Sequence, residues 1–84
     1  MIRYLNEEDL PMRRPVFRHA LMQIPYIDEN AGIVAWKEGQ VLPIVGRLDD
    51  GSLVLRVIKG KQKLLYVVDV DSIGRVLVEM FDAA

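Results

Sequence analysis

Apolar side chains in the first third of the chain recur at the three- and four-residue spacing of an amphipathic helix. They are Phe17, Ala20, Leu21 and Ile24. Pro15 suits the first turn of a helix, where its missing N–H group is not required, and Pro25 ends the pattern. The spacing therefore predicts an amphipathic N-terminal helix over residues 15–24.

Short apolar runs separated by turn residues dominate the chain from residue 32 onward. Gly51 and Gly60 mark two of the turns, because glycine tolerates the positive φ angle that tight turns need. Pro43 and Gly46 predict a bulge or a bend within the second run. The runs predict four strands, over residues 32–36, 41–48, 53–59 and 63–70. Their short connections favour an antiparallel meander, since parallel neighbours need a crossover of about a dozen residues.

The two ends of the chain are less regular. Residues 2–5 are apolar enough for a short edge strand. Residues 73–81 fit a helix, but residues 75–81 also fit a strand that forms a hairpin with the strand before it. More positions match the helical period, which predicts a C-terminal amphipathic helix, although Gly74 and Val78 favour the strand.

Together these patterns predict an α+β fold. Its sheet is a small antiparallel meander of four to five strands, either open or partly closed into a barrel. One amphipathic helix precedes the strands and another follows them. A chain of 84 residues is too short for two separate cores, so residues 1–84 are predicted to form a single domain.

The composition narrows the class of protein. Apolar residues make up 51% of the chain, which excludes a disordered tail, and the net charge of −1 argues against a strongly basic nucleic-acid-binding protein. Cysteine is absent, which excludes disulfides, thiolate metal sites and cysteine nucleophiles. The N-terminus lacks the apolar core of a signal peptide, and the longest apolar run, residues 64–68, is too short to span a membrane. These features predict a cytoplasmic protein without membrane contact.

Candidate catalytic groups are few. His19 is the single histidine, and no phosphate-loop, dinucleotide, zinc-protease or EF-hand motif occurs. The sequence therefore predicts a protein that is not an enzyme and holds no cofactor. The exception is a weak metal site at Asp69 and Asp71, whose carboxylates point the same way at the end of a predicted strand and suit Mg²⁺ or Ca²⁺. The alternative is that both aspartates only end the strand.

Two basic segments are candidate contacts for phosphates or nucleic acid. Their residues are Arg13, Arg14, Arg18, Arg56, Lys59, Lys61 and Lys63. The alternative is a solvated surface, because lysines near hairpin tips also protect a sheet against edge pairing. Trp36, Tyr26 and Phe17 either line a small-ligand pocket or pack in the core.

The central strands carry apolar residues on both faces, so both faces must be shielded from water by other parts of the protein or by a partner. A second copy of the chain can supply this shielding, and we predict a homodimer whose interface includes Val76, Met80 and Phe81. A closed barrel is the alternative, since its interior takes up one whole face. The favoured function is a small non-enzymatic interaction or accessory domain that self-associates or binds another protein. The alternatives are a nucleic-acid-binding regulator that uses the basic segments and a small-ligand-binding domain.

Overall fold

A computed structural model describes residues 2–5 and 12–82. Eight strands account for most of their regular structure. The strands are β1 (Ile2–Tyr4), β2 (His19–Met22), β3 (Tyr26–Asp28), β4 (Ile33–Trp36), β5 (Val41–Arg47), β6 (Leu53–Lys59), β7 (Gln62–Val68) and β8 (Leu77–Phe81). Between β7 and β8 the chain forms a 3-10 turn (Val70–Ser72) and a short helix, α1 (Ile73–Val76).

Six of the strands form one antiparallel sheet in the order β1-β7-β6-β5-β2-β8. β5 belongs to both halves of this sheet, because residues 41–43 pair with β2 and residues 44–47 pair with β6. The register shifts between Ile44 and Gly46, which confirms the irregularity predicted for this strand. β3 and β4 form a separate two-stranded sheet.

The chain ahead of β2 also runs beside β5. Arg13 and Arg47 exchange two backbone hydrogen bonds, with N–O distances of 2.9 and 3.1 Å. Further along, the N–H group of Ile44 donates to the carbonyl oxygen of Arg18 at 2.7 Å. The loop at residues 14–17 is thus attached to β5 at both of its ends.

The predicted N-terminal helix over residues 15–24 is wrong. The structure has β2 in its place, and Ala20 and Met22 alternate inward into the core as strand residues do. The backbone of β2 is paired on both edges, with β5 and with β8. An isolated helix this short is marginal in water, so tertiary pairing outweighs the local helical spacing.

The predicted C-terminal helix over residues 73–81 is wrong beyond its first turn. α1 has four residues, and the chain then extends into β8. β8 pairs with β2 rather than β7, so the alternative hairpin with the preceding strand is wrong as well. The edge of β2 has backbone groups that only another extended segment can satisfy, and the β-branched Val78 suits that conformation.

The fold class is therefore mainly β rather than α+β, with eight strands instead of four to five. The antiparallel pairing and the short edge strand at the N-terminus are confirmed, but the four-stranded meander is wrong at its first strand, because β4 pairs with β3 in the separate sheet and not with β5. Within residues 2–5 and 12–82, no helix has the length and apolar character required to cross a membrane.

One core cluster collects side chains from β2, β4, β5, β6, β7, α1 and β8. Trp36, Tyr66 and Leu55 are fully buried in it. Val54 precedes Leu55 on β6, so its side chain points to the opposite face of the strand. It lies outside this cluster and is also fully buried. The chain therefore covers both faces of β6 at this point, and a second copy is not needed there.

Gly46 lies on β5, where Met12 and Arg13 pack closely against this strand. A Cβ atom at this position would lie 2.9 Å from Met12 Sδ and 3.2 Å from the carbonyl oxygen of Arg13. We expect Gly46→Ala to lower the free energy of unfolding by about 1–2 kcal/mol, because a backbone that is hydrogen-bonded to Arg47 must move. Urea unfolding followed by circular dichroism measures the loss.

Gly74→Ala is the matched control for this substitution. Apart from its chain neighbours and the backbone of α1, no atom of the described residues lies within 4 Å of a Cβ atom built at Gly74. Gly74 belongs to α1, where alanine is preferred over glycine, so stability is expected to stay unchanged or to rise slightly. Equal losses in the two variants would contradict the role assigned to Gly46.

Candidate functional site

A hollow opens on the protein surface beside the loop at residues 14–17. Its lining residues are Arg14, Pro15, Val16, Arg18 and Asp82. Its volume of about 410 Å³ lies in the range of pockets that hold small ligands. The loop is attached to β5 at both ends, and Pro15 restricts its backbone, so the fold fixes the backbone positions of the residues that line the hollow. We call this site the arginine hollow.

Arg14 and Arg18 give the arginine hollow two cations, and Asp82 gives it one anion. The carboxylate of Asp82 accepts a hydrogen bond from the backbone N–H group of Arg18 at 3.0 Å. Within the part of the chain that the structure describes, the guanidinium groups of Arg14 and Arg18 have no hydrogen bond or ion pair. A planar guanidinium group binds phosphate or carboxylate oxygens through two parallel hydrogen bonds, so the site can hold an oxyanion.

The structure separates the remaining predicted basic residues from the arginine hollow. Arg13 donates from Nε to Asp49 Oδ1 at 2.7 Å instead of lining the hollow. Arg56, Lys59, Lys61 and Lys63 belong to the hairpin of β6 and β7 and do not line the hollow either. Of the seven predicted phosphate contacts, the structure brings only Arg14 and Arg18 to this cavity.

Asp69 and Asp71, the two predicted metal ligands, lie in different environments. Asp69 is hydrogen-bonded to the guanidinium group of Arg3 on β1. Asp71 is exposed on the 3-10 turn. Among residues 2–5 and 12–82, no group of three or more His, Asp or Glu side chains is placed to hold a metal ion.

β2, β5 and β8 share a partly exposed and largely apolar surface. Ala20, Met22 and Leu42 are buried in the core, so the alternate residues of these strands face outward. The outward residues are His19, Leu21, Val41, Pro43, Glu79 and Phe81, which we call the outer face. The rings of His19 and Phe81 are stacked, with centroids 5.9 Å apart. The single histidine is thus packed against an aromatic neighbour on a sheet surface.

The three predicted interface residues lie in different environments. Val76 is 4% exposed and Met80 packs against the core cluster, whereas Phe81 belongs to the outer face. β8 is the last strand in the sheet order, so within the described residues its outer edge has no strand partner. Val78 lies on this strand and is 63% exposed. We call residues 77–81 the free edge.

A buried carboxylate that is not among the predicted site residues lies at Asp28, at the end of β3. Its side chain is 3% exposed and accepts a hydrogen bond from the N–H group of Ala31 at 3.0 Å. The hydroxyl group of Tyr66 donates a hydrogen bond to that of Tyr4 at 3.3 Å, and both hydroxyl groups lie near the carboxylate. An aspartate followed by a turn that ends in Gly32 is typical of a side chain that caps its own turn, and that signal is present in the sequence.

The protonation states of this cluster follow from burial and hydrogen bonding. Burial alone would raise the pKa of Asp28, but hydrogen bonds from Tyr4, Ala31, Tyr66 and Asn30 outweigh burial and hold its pKa below the ordinary value. Burial, followed by the interactions with Tyr4 and Asp28, raises the pKa of Tyr66. The cluster therefore contains one carboxylate and neutral tyrosines at neutral pH.

The aromatic residues predicted to line a ligand pocket are divided between the core and the surface. Trp36 is fully buried, and its Nε1 donates to the carbonyl oxygen of Ile24 at 2.9 Å. The rings of Tyr26 and Tyr66 pack on Trp36 with centroid distances of 5.0 and 5.6 Å. Phe17 is 39% exposed and makes none of these ring contacts.

Three features of the described residues can thus contact another molecule: the arginine hollow, the outer face and the free edge. No protein-family model, no curated protein and no solved structure matches the chain.

Proposed function

We propose that the chain is a small cytoplasmic interaction domain that self-associates through the free edge, with no chemical reaction of its own. The observation that carries the proposal is the contrast between the two edges of the six-stranded sheet. An edge strand exposes a row of N–H and C=O groups that can pair with a strand of another chain. Proteins that stay monomeric usually shorten such an edge or place charges on it.

The β1 edge of the sheet has both of these protections. β1 contains only three residues, and one of them is Arg3, which is paired with Asp69. The free edge is less protected than β1, because it is five residues long and has no lysine, arginine or proline, although the register shift opposite Leu21 and Met22 leaves Val78 outside the ladder with β2. Glu79 is its single charged residue, and Val78 is largely exposed. Self-association at β8 is therefore favoured over self-association at β1.

A second copy of the chain is the occupant that fits this edge. Antiparallel pairing of two free edges around a two-fold axis joins the two sheets into one and uses the same residues from both copies. Pairing centred on Met80 sets Glu79 beside Phe81 of the second copy, so the two carboxylates do not oppose each other. The outer face continues from the free edge through Leu21 and Val41, and it supplies apolar area next to the paired strands.

Val78→Lys is expected to abolish self-association without unfolding the chain. A lysine on an edge strand opposes edge-to-edge pairing, and an exposed position tolerates the longer side chain. In analytical ultracentrifugation at about 10 and about 200 μM, the unmodified chain is expected to approach twice the monomer mass of 9.6 kDa at the higher concentration. The Val78→Lys variant is expected to sediment as a monomer at both concentrations.

Ile27→Lys is the matched control, because Ile27 is also 63% exposed but lies on β3, outside the six-stranded sheet. This variant is expected to associate like the unmodified chain. An unmodified chain that stays monomeric at both concentrations would refute the proposal. Association that survives Val78→Lys would also refute it, by showing that the copies meet elsewhere.

The basic residues give weaker support to a nucleic-acid-binding function. The phosphate backbone of a nucleic acid needs a row of cations along one protein surface. Arg13 is instead paired with Asp49, and the lysines lie on the hairpin of β6 and β7, away from the arginine hollow. The net charge of −1 also provides no general attraction to a polyanion. Self-association therefore remains the function that the described surfaces support best.

A further inference from the structure

We propose that the arginine hollow binds one phosphate monoester group of a small molecule, with Arg14 and Arg18 as its ligands. This site is separate from the free edge and does not depend on self-association. Two cations that lack a protein partner among the described residues line the same cavity. A phosphate monoester carries close to two negative charges at neutral pH, which matches two guanidinium groups.

The geometry of the loop favours binding because its backbone is already held, so that only the two arginine side chains have to be ordered when the ligand arrives. Arg13 pairs with Arg47 on one side of the loop, and the carbonyl oxygen of Arg18 accepts from Ile44 on the other side. The N–H group of Arg18 is held by Asp82 at 3.0 Å. Pro15 restricts the backbone between the two arginines. A backbone that is already fixed reduces the entropy lost on binding.

The presence of Asp82 narrows the class of ligand. A carboxylate on the rim repels the neighbouring phosphates of a nucleic-acid strand, but it can accept a hydrogen bond from an amine or a hydroxyl group near a single phosphate. A volume of about 410 Å³ leaves space for an organic group beside the phosphate. The site therefore suits a small phosphate monoester that also carries an amine, and phosphoethanolamine is the simplest probe of this class.

Calorimetric titration at constant ionic strength tests the proposal, with phosphoethanolamine, inorganic phosphate and a short single-stranded DNA that has no terminal phosphate. Phosphoethanolamine is expected to bind more tightly than inorganic phosphate. Arg14→Ala and Arg18→Ala are each expected to raise the Kd for both phosphate probes about tenfold or more. Arg13→Ala is the matched control, because Arg13 does not line the hollow, and its Kd values are expected to change less than about twofold.

Asp82→Asn separates the two parts of the site. Removing the carboxylate is expected to strengthen binding of inorganic phosphate and to reduce the preference for phosphoethanolamine, because the repulsion and the partner for the amine are lost together. The exposed arginine variants are expected to keep the fluorescence spectrum of Trp36, which confirms that they remain folded.

Three results would overturn the proposal. The first is no detectable heat with either phosphate probe at about 10 mM, a concentration that corresponds to very weak binding. The second is an equal loss in Arg13→Ala, which would show a general charge effect. The third is tighter binding of the DNA than of phosphoethanolamine, which would indicate a nucleic-acid surface instead.

Discussion

Tyr66→Ala is expected to lower the free energy of unfolding by about 3–5 kcal/mol. Tyr66 is fully buried on β7, and its ring meets Trp36 and Tyr26 edge to face, with centroid distances of 5.6 and 5.9 Å. The ring of Tyr4 lies 5.0 Å away on the neighbouring strand. Alanine would remove all three ring contacts and leave a cavity that paired strands cannot close. Small domains are stable by only about 5–15 kcal/mol, so part of the variant is expected to be unfolded even without denaturant.

Urea unfolding followed by the fluorescence of Trp36, the single tryptophan, measures this loss. Tyr66→Phe is the matched control, because it keeps the ring and removes only the hydroxyl group. Its expected cost is about 1 kcal/mol, the net contribution of an ordinary hydrogen bond. If the alanine variant were no less stable than the phenylalanine variant, ring packing at Tyr66 would not be what holds the core together.

Asp28→Ala is expected to lower the free energy of unfolding by about 2–4 kcal/mol. The carboxylate of Asp28 holds the β3–β4 turn through the N–H group of Ala31 and interacts with the nearby hydroxyl groups of Tyr4 and Tyr66. Alanine would leave the N–H group of Ala31 without its acceptor and would remove the carboxylate beside the two tyrosine hydroxyl groups, and an unsatisfied donor costs more than the hydrogen bond was worth. Asp28→Asn retains an amide oxygen as an acceptor, so its expected cost is smaller, about 1–2 kcal/mol.

The pH dependence of stability provides an independent measurement at the same residue. The pKa of Asp28 is lower in the folded state than its ordinary value of about 3.9, so the unfolded chain takes up a proton first as the pH falls. The stabilisation is therefore complete above about pH 5 and is lost as the pH falls through the lower, folded pKa. Asp28→Asn lacks this contribution, so the difference in stability between the two proteins is expected to narrow in acid.

The lowered pKa of Asp50, which follows from hydrogen bonds with Ser52, is present in both proteins and cancels in the comparison. A difference that stays constant or widens in acid would contradict the charged state of Asp28.

Local sequence signals were sufficient for the hairpin of β6 and β7. Leu53–Lys59 is a strand with the bounds that its apolar run predicts, and Gly60 has the positive φ of 59° that the turn requires. These features depend on neighbours in sequence, since a tight turn sets the register of the two strands that it joins. The edge strand at β1 and the irregularity of β5 at Gly46 were predicted for the same local reasons.

The site was predicted only in part. Arg14 and Arg18 were recognised as candidate phosphate contacts by residue type, but residue type could not separate them from Arg13 and the lysines. The separation depends on Asp49, which is distant in sequence and pairs with Arg13. The position of Asp82 on the rim of the arginine hollow likewise depends on β8 lying beside β2.

The sequence by itself determined the antiparallel arrangement of β5, β6 and β7, the turns between them and their apolar runs. Only the tertiary structure decided that the segments around Ala20 and Met80 are strands. Their apolar spacing fits a helix as well as a strand, and a short isolated segment gains too little from its own hydrogen bonds to select either form. Pairing of β2 with β5 and of β8 with β2 satisfies the backbone of both segments and buries Ala20, Met22 and Leu77 in the core. The stabilisation from this pairing and burial comes from residues far apart in the chain, so a local sequence pattern does not predict it.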